Sequence, residues 1–310
     1  MPDYPLHLLL PLLASFLFVC GLLCVKRASA KGTGPWTVTF TANMWVALLF
    51  SLMWPLGGTI PGLEAMWQPA LVALLYLLGQ IFTFAAVEHG DVSVATPVFG
   101  VKVIVVALWL WLFAGAELSL AVWVAVSLAG VGIILVQWTP ASAHTDQDSP
   151  GTSEASSPSS KMVLSIALAL LAAVSFGTFD VVVQSCAPAW GPGRLLPISF
   201  WIAGVMSLGF LPWCQKSGWR RENARWALLV GALLVALQAN CIVFTLANFG
   251  DAARVNVVYT MRGMWGVVLA WAVAKRWGGA EAELPPGVML LRFIGASLLT
   301  AAVVLVAVTG

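Results

Sequence analysis

Charge is scarce in this sequence: 15 basic and 13 acidic residues in 310, or 9% of the chain. A soluble domain carries roughly a quarter of its residues as charges, and 60% of this chain is apolar. Too little polar surface is available to solvate a globule of this size. Disorder demands the opposite composition, low hydrophobicity with high charge. Histidine is almost as rare: His7, His89 and His144 are the only three, two outside the apolar runs and His7 at the very start of the first, which leaves no ligands for haem inside a bundle or for zinc on an HExxH helix. The chain has no P-loop, no GxSxG elbow and no dinucleotide fingerprint, so the sequence offers neither ATP-driven chemistry nor the usual hydrolase and redox sites. The five cysteines are an odd number, scattered without disulfide or metal-ligand spacing, and read as small buried hydrophobes. No cofactor or metal is expected.

Long apolar runs are what the chain has instead. They extend over about Leu6 to Val25, Trp36 to Leu56, Met66 to Val87, Val92 to Phe113, Leu118 to Trp138, Met162 to Val183, Leu195 to Trp213, Trp226 to Phe249, Ala252 to Ala274 and Pro286 to Val308. About 20 residues of helix cross the hydrocarbon core, and runs of this length are helices because each backbone amide must find its partner within its own segment. The expected fold is therefore an all-α, polytopic membrane protein with ten transmembrane helices. The first run lacks a basic leading region and carries Lys26 and Arg27 on its far side, so it reads as a retained helix rather than a signal peptide. A Ser, Thr, Pro and Asp-rich stretch over 139–161 has no apolar face and reads as a flexible linker between residues 1–138 and 162–310, five helices each.

Five crossings are an odd number, so homologous halves must lie upside down relative to one another. An ungapped register supports that relation. Gly90-Asp91 matches Gly250-Asp251; eleven residues after each Asp stands a cation, Lys102 and Arg262; twenty after each stands Trp111 or Trp271; eleven before each stands a carboxamide, Gln80 or Asn240. The loops after helices 1, 3, 5, 7 and 9 hold ten basic residues and the opposite side only Arg194 and Arg254. The positive-inside rule makes the basic side cytoplasmic and puts both termini outside. This topology also accounts for the basic residues without a nucleic-acid partner.

The segments Ala85-Ala86 to Gly90-Asp91, Pro97, Gly115-Ala116-Glu117 and Gly130-Val131-Gly132, with Gly250-Asp251, Glu281 and Gly295 in the second half, resemble the drug/metabolite transporter superfamily and, within it, the EamA-like transporters. That resemblance implies ten helices in two inverted five-helix repeats and a transporter rather than an enzyme. Two departures stand out. Val257 occupies the place of Pro97, and members of the family are usually drawn with cytoplasmic termini.

Lys102 and Arg262 fall near the middle of their runs, where an isolated charge costs several kcal/mol and faces the bundle interior or a wet cavity. Either they line a substrate cavity at the repeat interface, or they pair with acids or carbonyls to hold the bundle. Asp180 is the single acid embedded in a run. It can neutralise one of the cations, carry a coupling proton, or reach interfacial water. Asn43, Gln80, Gln238, Asn240 and Asn256 can line the same cavity or hydrogen bond between helices. Ala169, Ala173 and Gly177 precede Asp180 at intervals of four, a small-residue face suited to close helix packing. Arg292, two turns into its helix, reads as snorkelling, and Trp111 and Trp271 as a pocket wall or packing.

The expected activity is secondary transport of a small polar metabolite by alternating access, with Lys102, Arg262, Gln80, Asn240 and Asn43 as substrate-binding candidates and Asp180 as the proton-coupling candidate. Two cations against one acid favour an amino acid, an organic acid or another anionic substrate. A sugar or drug-like compound is the alternative if Asp180 cancels the cations, and a membrane enzyme or a non-transporting membrane protein is the remaining class. The expected surroundings are the lipid bilayer of the plasma membrane, with protons as a candidate coupling ion; the sequence leaves the oligomeric state open.

Overall fold

The computed structural model describes residues 6–89, 100–137, 159–215, 219, 222–277 and 286–309. Among them the regular structure is entirely helical. In chain order the α-helices are α1 (Leu9–Ser29), α2 (Pro35–Ser51), α3 (Trp67–His89), α4 (Lys102–Phe113), α5 (Leu120–Gln137), α6 (Ser159–Trp190), α7 (Pro192–Met206), α8 (Glu222–Phe249), α9 (Ala252–Tyr259), α10 (Arg262–Trp277) and α11 (Pro286–Val308). Seven segments are long and apolar enough to cross a membrane: Leu6–Ser29, Pro35–Leu56, Leu63–Ala86, Val163–Trp190, Pro192–Trp213, Ala224–Phe249 and Leu290–Val308. Lys102–Phe113 and Leu120–Val136 are shorter apolar helices. The chain is an integral, multi-pass membrane protein.

Three boundaries differ from the sequence expectation, and each difference has a local cause. The sixth helix runs past Val183 to Trp190, because Pro188 lies in the last turn, where its missing N–H leaves only one carbonyl unbonded. It stops at Gly191, whose φ of +73° is left-handed, and Pro192 then starts α7 at a position that needs no N–H. The ninth run is not one helix: α9 and α10 are separated at Thr260–Met261, where Met261 N–H bonds to Val258 and Gly263 N–H to Thr260, three residues back rather than four. Lys102, expected in mid-helix, is instead the first residue of α4. Gly90, Asp91, Pro97, the 139–158 part of the linker, Trp138, His144 and Glu281 lie outside the described residues, as do the side chains of His89 and Trp271.

The helices pack in a definite set of pairs. α1 lies along α8 and α3 along α6; α2 meets α8, and α7 meets α3; α4 packs on α6, and α9 and α10 on α1; α5 lies along α11. Glycines bring two of these pairs to backbone contact. A methyl group on Gly295 in α11 would sit 2.7 Å from the Gly132 carbonyl oxygen in α5, and one on Gly21 in α1 would sit 3.2 Å from the Gly231 carbonyl oxygen in α8. With no hydrophobic force between helices in lipid, this close van der Waals approach is a main source of cohesion. Gly177, from the small-residue face of α6, lets side chains of α4 reach the α6 backbone: a methyl there would lie 2.8 Å from Val105 Cγ1.

The ends of the bundle are tied in two groups. At one end the N-terminal turn, the start of α9 and the C-terminus converge: His7 Nε2 lies 3.4 Å from Asp251 Oδ2, Arg254 Nη1 lies 3.7 Å from the same oxygen, and Arg254 Nη2 donates to the Thr309 carbonyl at 3.4 Å. The 57–62 loop joins the α6–α7 corner through Thr59 N–H to Trp190 O, 2.8 Å, and Arg194 donates to Trp54 O at 3.0 Å while lying over its ring. Elsewhere, Gln215 N–H donates to Thr37 Oγ1 at 2.7 Å, and Trp36 stacks near Phe84, Phe210 and Trp213. Tryptophans at span ends suit an interfacial belt.

Candidate functional site

α4 and α6 set the first half of the site. Gly177 lets the two helices approach, and one turn further along α4, Trp109 Nε1 donates to Thr178 Oγ1 at 2.8 Å. The result places Lys102 Nζ 2.8 Å from Asp180 Oδ2, with Asp180 1% exposed and the Lys102 side chain 15% exposed. Asp180 stands ten residues before the end of α6, about 15 Å along the axis. The interfacial reading of this acid is therefore corrected: the longer sixth helix buries it deep in the bundle. The same Oδ2 accepts from Asn256 Nδ2 of α9 at 2.6 Å, and that amide also donates to its own helix at Ala252 O, 2.9 Å. One carboxylate oxygen thus joins α4, α6 and α9. The Phe176 ring lies 5.9 Å from Lys102 Nζ, and Gly79 in α3 makes room for it, since a methyl there would come within 2.7 Å of the ring.

The second cation has different company. Arg262 opens α10 with its guanidinium carbon 4.6 Å from the Tyr259 ring centre and 5.4 Å from that of Phe18 in α1. Among the described residues it has no carboxylate partner. Tyr259 OH donates to Gln238 Oε1 at 2.7 Å, and this tyrosine lies within electrostatic reach of both Arg262 and Asp180. Aromatic faces attract a cation without neutralising it. A cation in the first turn of a helix also faces the positive end of the dipole, which favours anions there. Lys102 and Arg262 share that position, and among the described residues only Lys102 has a carboxylate partner.

The carboxamides divide in the same way. Asn43 and Gln80 form a reciprocal pair between α2 and α3, Asn43 Nδ2 donating to Gln80 Oε1 at 3.1 Å and Gln80 Nε2 to Asn43 Oδ1 at 3.0 Å. Each amide spends one N–H and one lone pair on the other. Asn240, the counterpart of Gln80 in the 160-residue register, has a buried Nδ2 with no partner among the described residues. The structure brings Lys102, Asp180 and Asn256 together, and Arg262 with Tyr259, Gln238 and Phe18. It draws Asn43 and Gln80 into a separate bridge, and no contact links Asn240 to either cation. Trp111 does not line a pocket: it is 56% exposed and meets Trp123 edge-on at 6.5 Å. A groove of about 770 Å³ between α10 and α11, lined by Met264, Phe293, Thr300 and Val304 among others, carries no charged residue.

Residue type alone did not single out Phe176, Phe18 or Tyr259. A helical signal was present nevertheless. Phe176 precedes Asp180 by four residues and Tyr259 precedes Arg262 by three, spacings that put each aromatic on the face of its charged neighbour. Gln184, one turn after Asp180, was likewise missed: its Oε1 accepts from Ala252 N–H at 2.8 Å, capping α9.

A bundle of membrane-spanning helices with charged side chains held in its interior defines the class, a polytopic membrane protein with a polar intramembrane site. Within that class, residues 6–138 match the model of the EamA-like transporter family, a family of the drug/metabolite transporter superfamily. Proteins of that family are generally transporters rather than enzymes. A solved crystal structure of a protein superposes with a TM-score of 0.65 at 14% identity, covering 98% of this chain and 96% of that one, a likeness of fold alone. No match to this chain is found among curated proteins.

Proposed function

We propose that the protein is a secondary active transporter carrying a small polar metabolite with an anionic group, such as an amino acid or organic acid, by alternating access between two inverted five-helix repeats. The helix pairing supports the repeat. Exchanging the first five helices for the second five, with α9 and α10 counted as one, turns α1–α8 into α6–α3, α2–α8 into α7–α3 and α4–α6 into α9–α1, all pairs that occur. Each repeat presents a cation at the start of a helical segment inside the bundle, the arrangement by which interrupted helices hold anions near the midplane.

Arg262 carries the anionic reading. Its charge is half-buried beside two aromatic rings and lacks a carboxylate among the described residues, so a substrate carboxylate is the partner that completes it. Asn240, with its buried and unmet N–H, is a candidate for a second substrate contact in the same repeat. Gln80 and Asn43 contribute only in a conformation that separates their amides. Coupling to protons assigns the proton to Asp180, which it reaches once Lys102 withdraws as α4 moves from α6. The basic loops support an orientation with the termini outside, in a plasma membrane on this reading, and the convergence of His7, Asp251 and Thr309 at one end agrees with both termini sharing a face.

The test is uptake into proteoliposomes by the full chain, screened with labelled amino acids and organic acids. Truncating one partner of a buried charged contact costs about 2–5 kcal/mol, so Arg262→Gln is expected to weaken apparent affinity for the transported acid at least ~30-fold, with Arg262→Lys between. Transport confined to neutral sugars or drug-like compounds, untouched by Arg262→Gln, refutes the anionic reading.

A further inference from the structure

Resting on the reading of Arg262 as the substrate's partner, we propose that Asp180 sets the valence of the substrate, so that the site accepts a small molecule with one net negative charge and discriminates against dianions. The three charges Lys102, Asp180 and Arg262 sum to plus one. Asp180 is 1% exposed, and its Oδ2 takes both Lys102 Nζ at 2.8 Å and Asn256 Nδ2 at 2.6 Å. Seizing Lys102 for a second substrate carboxylate strips that buried acid of its cation, which a dry interior strongly opposes. Lys102 is therefore already matched inside the protein.

Among the described residues Arg262 is not matched in this way. The residue four past Phe176 is Asp180, whereas the residue four past Phe18 is Leu22, so α1 brings no carboxylate to Arg262 as α6 brings one to Lys102. Phe18 and Tyr259 offer ring faces, and the planar fork of N–H donors keeps its capacity for one carboxylate. The two half-sites are joined through one short segment: Asn256, which holds Asp180, precedes Arg262 by six residues, and Tyr259 between them lies under the Arg262 guanidinium. Removing the Asp180 charge leaves two cations facing the same region and a site that takes two negative charges.

The experiment measures thermal stabilisation of the purified full chain in detergent at pH 8, where both carboxyls of succinate are ionised, using three four-carbon probes: butyrate, succinate and neutral butyramide. Wild type is expected to respond to butyrate more than to succinate and not to butyramide. Asp180→Asn is expected to reverse the order of the two acids, changing the ratio of their apparent affinities by roughly tenfold, and Lys102→Gln with Asp180→Asn to restore it. Lys102→Gln alone leaves a net charge of zero and is expected to lose the preference for butyrate over butyramide, which keeps the proposal open to refutation even if Asp180→Asn does not fold. If wild type prefers butyrate through Arg262 and neither Asp180→Asn nor Lys102→Gln alters the order, valence control by Asp180 is wrong while the anion site stands. If neither acid stabilises wild type more than butyramide, or if Arg262→Gln responds as wild type does, the anion site itself falls and the valence proposal falls with it.

Discussion

Breaking the Lys102–Asp180 pair is expected to destabilise the protein far more than deleting it. The pair is short, 2.8 Å, and the acid is 1% exposed. Removing one partner of a buried pair leaves an uncompensated charge and costs about 3–5 kcal/mol, whereas replacing both by apolar groups of similar volume is close to neutral or better. Lys102→Met keeps the stem and drops the charge; Asp180→Leu removes the carboxylate and leaves Asn256 Nδ2 with its Ala252 bond. Each single variant should therefore lose about 3–5 kcal/mol, and the double variant no more than about 1–2, allowing for the Asn256 contact it gives up. At about 2 °C per kcal/mol for a chain somewhat larger than 250 residues, the singles fall by roughly 6–10 °C and the double by a few degrees. Thermal unfolding of the four purified proteins in one detergent reads this directly as a double-mutant cycle. Additive losses, with the double falling by the sum of the singles, refute the claim that the two charges hold each other. Singles that lose less than about 1 kcal/mol refute the claim that either charge is buried without water.

Two further perturbations follow from the packing. Gly295→Ala puts a methyl 2.7 Å from the Gly132 carbonyl oxygen and from Val136 N, so α5 and α11 must separate; a loss of about 1–3 kcal/mol is expected from overpacking, measured as a lower unfolding midpoint, and an unchanged midpoint contradicts the backbone contact. Asn43→Leu strands the Gln80 amide, which then lacks both its donor and acceptor partner. Stability should fall by about 1–3 kcal/mol, and Asn43→Leu with Gln80→Leu should recover part of it, whereas equal loss in both proteins denies the amide bridge.

The apolar runs identified the protein as a membrane bundle because hydrocarbon tolerates little besides closed backbone hydrogen bonding, so composition and run length decide the class. The spacing from Gly-Asp to the cation and the carboxamide was equally legible, since it repeats without a gap across 160 residues. Helix limits inside that pattern were harder to read. Pro188 looks like a stop in the sequence yet sits in the last turn of α6, where it forfeits one hydrogen bond, and Gly191 makes the actual end. The interruption at Thr260–Met261 has no proline to announce it, and Gly263 stands two residues beyond it. Its tightened three-residue bonds depend on packing against α1 and α11, which no local pattern encodes. The partner of Asp180 was open for the same reason: Lys102 and Arg262 occupy equivalent sequence positions, and only the docking of α4 on α6 through Gly177 decides between them.

That choice breaks the equivalence of the halves. In the first half, Lys102 has Asp180 across the repeat interface and Gln80 has Asn43; in the second, Arg262 has rings and Asn240 Nδ2 has no partner among the described residues. Helix N-termini favour negative charge, so a cation placed at each is stable only with an anion beside it. On the proposed reading, supplying that anion from the protein on one side and leaving it to a ligand on the other gives the bundle a single polar address for its substrate. It also ties that address to the joint between α9 and α10, because Arg262 begins where the tightened turn ends. On that reading, a ligand that neutralises Arg262 sits beside the same joint that follows Asn256 and its bond to Asp180, and the substrate's charge and the contact between the two halves become one electrostatic problem.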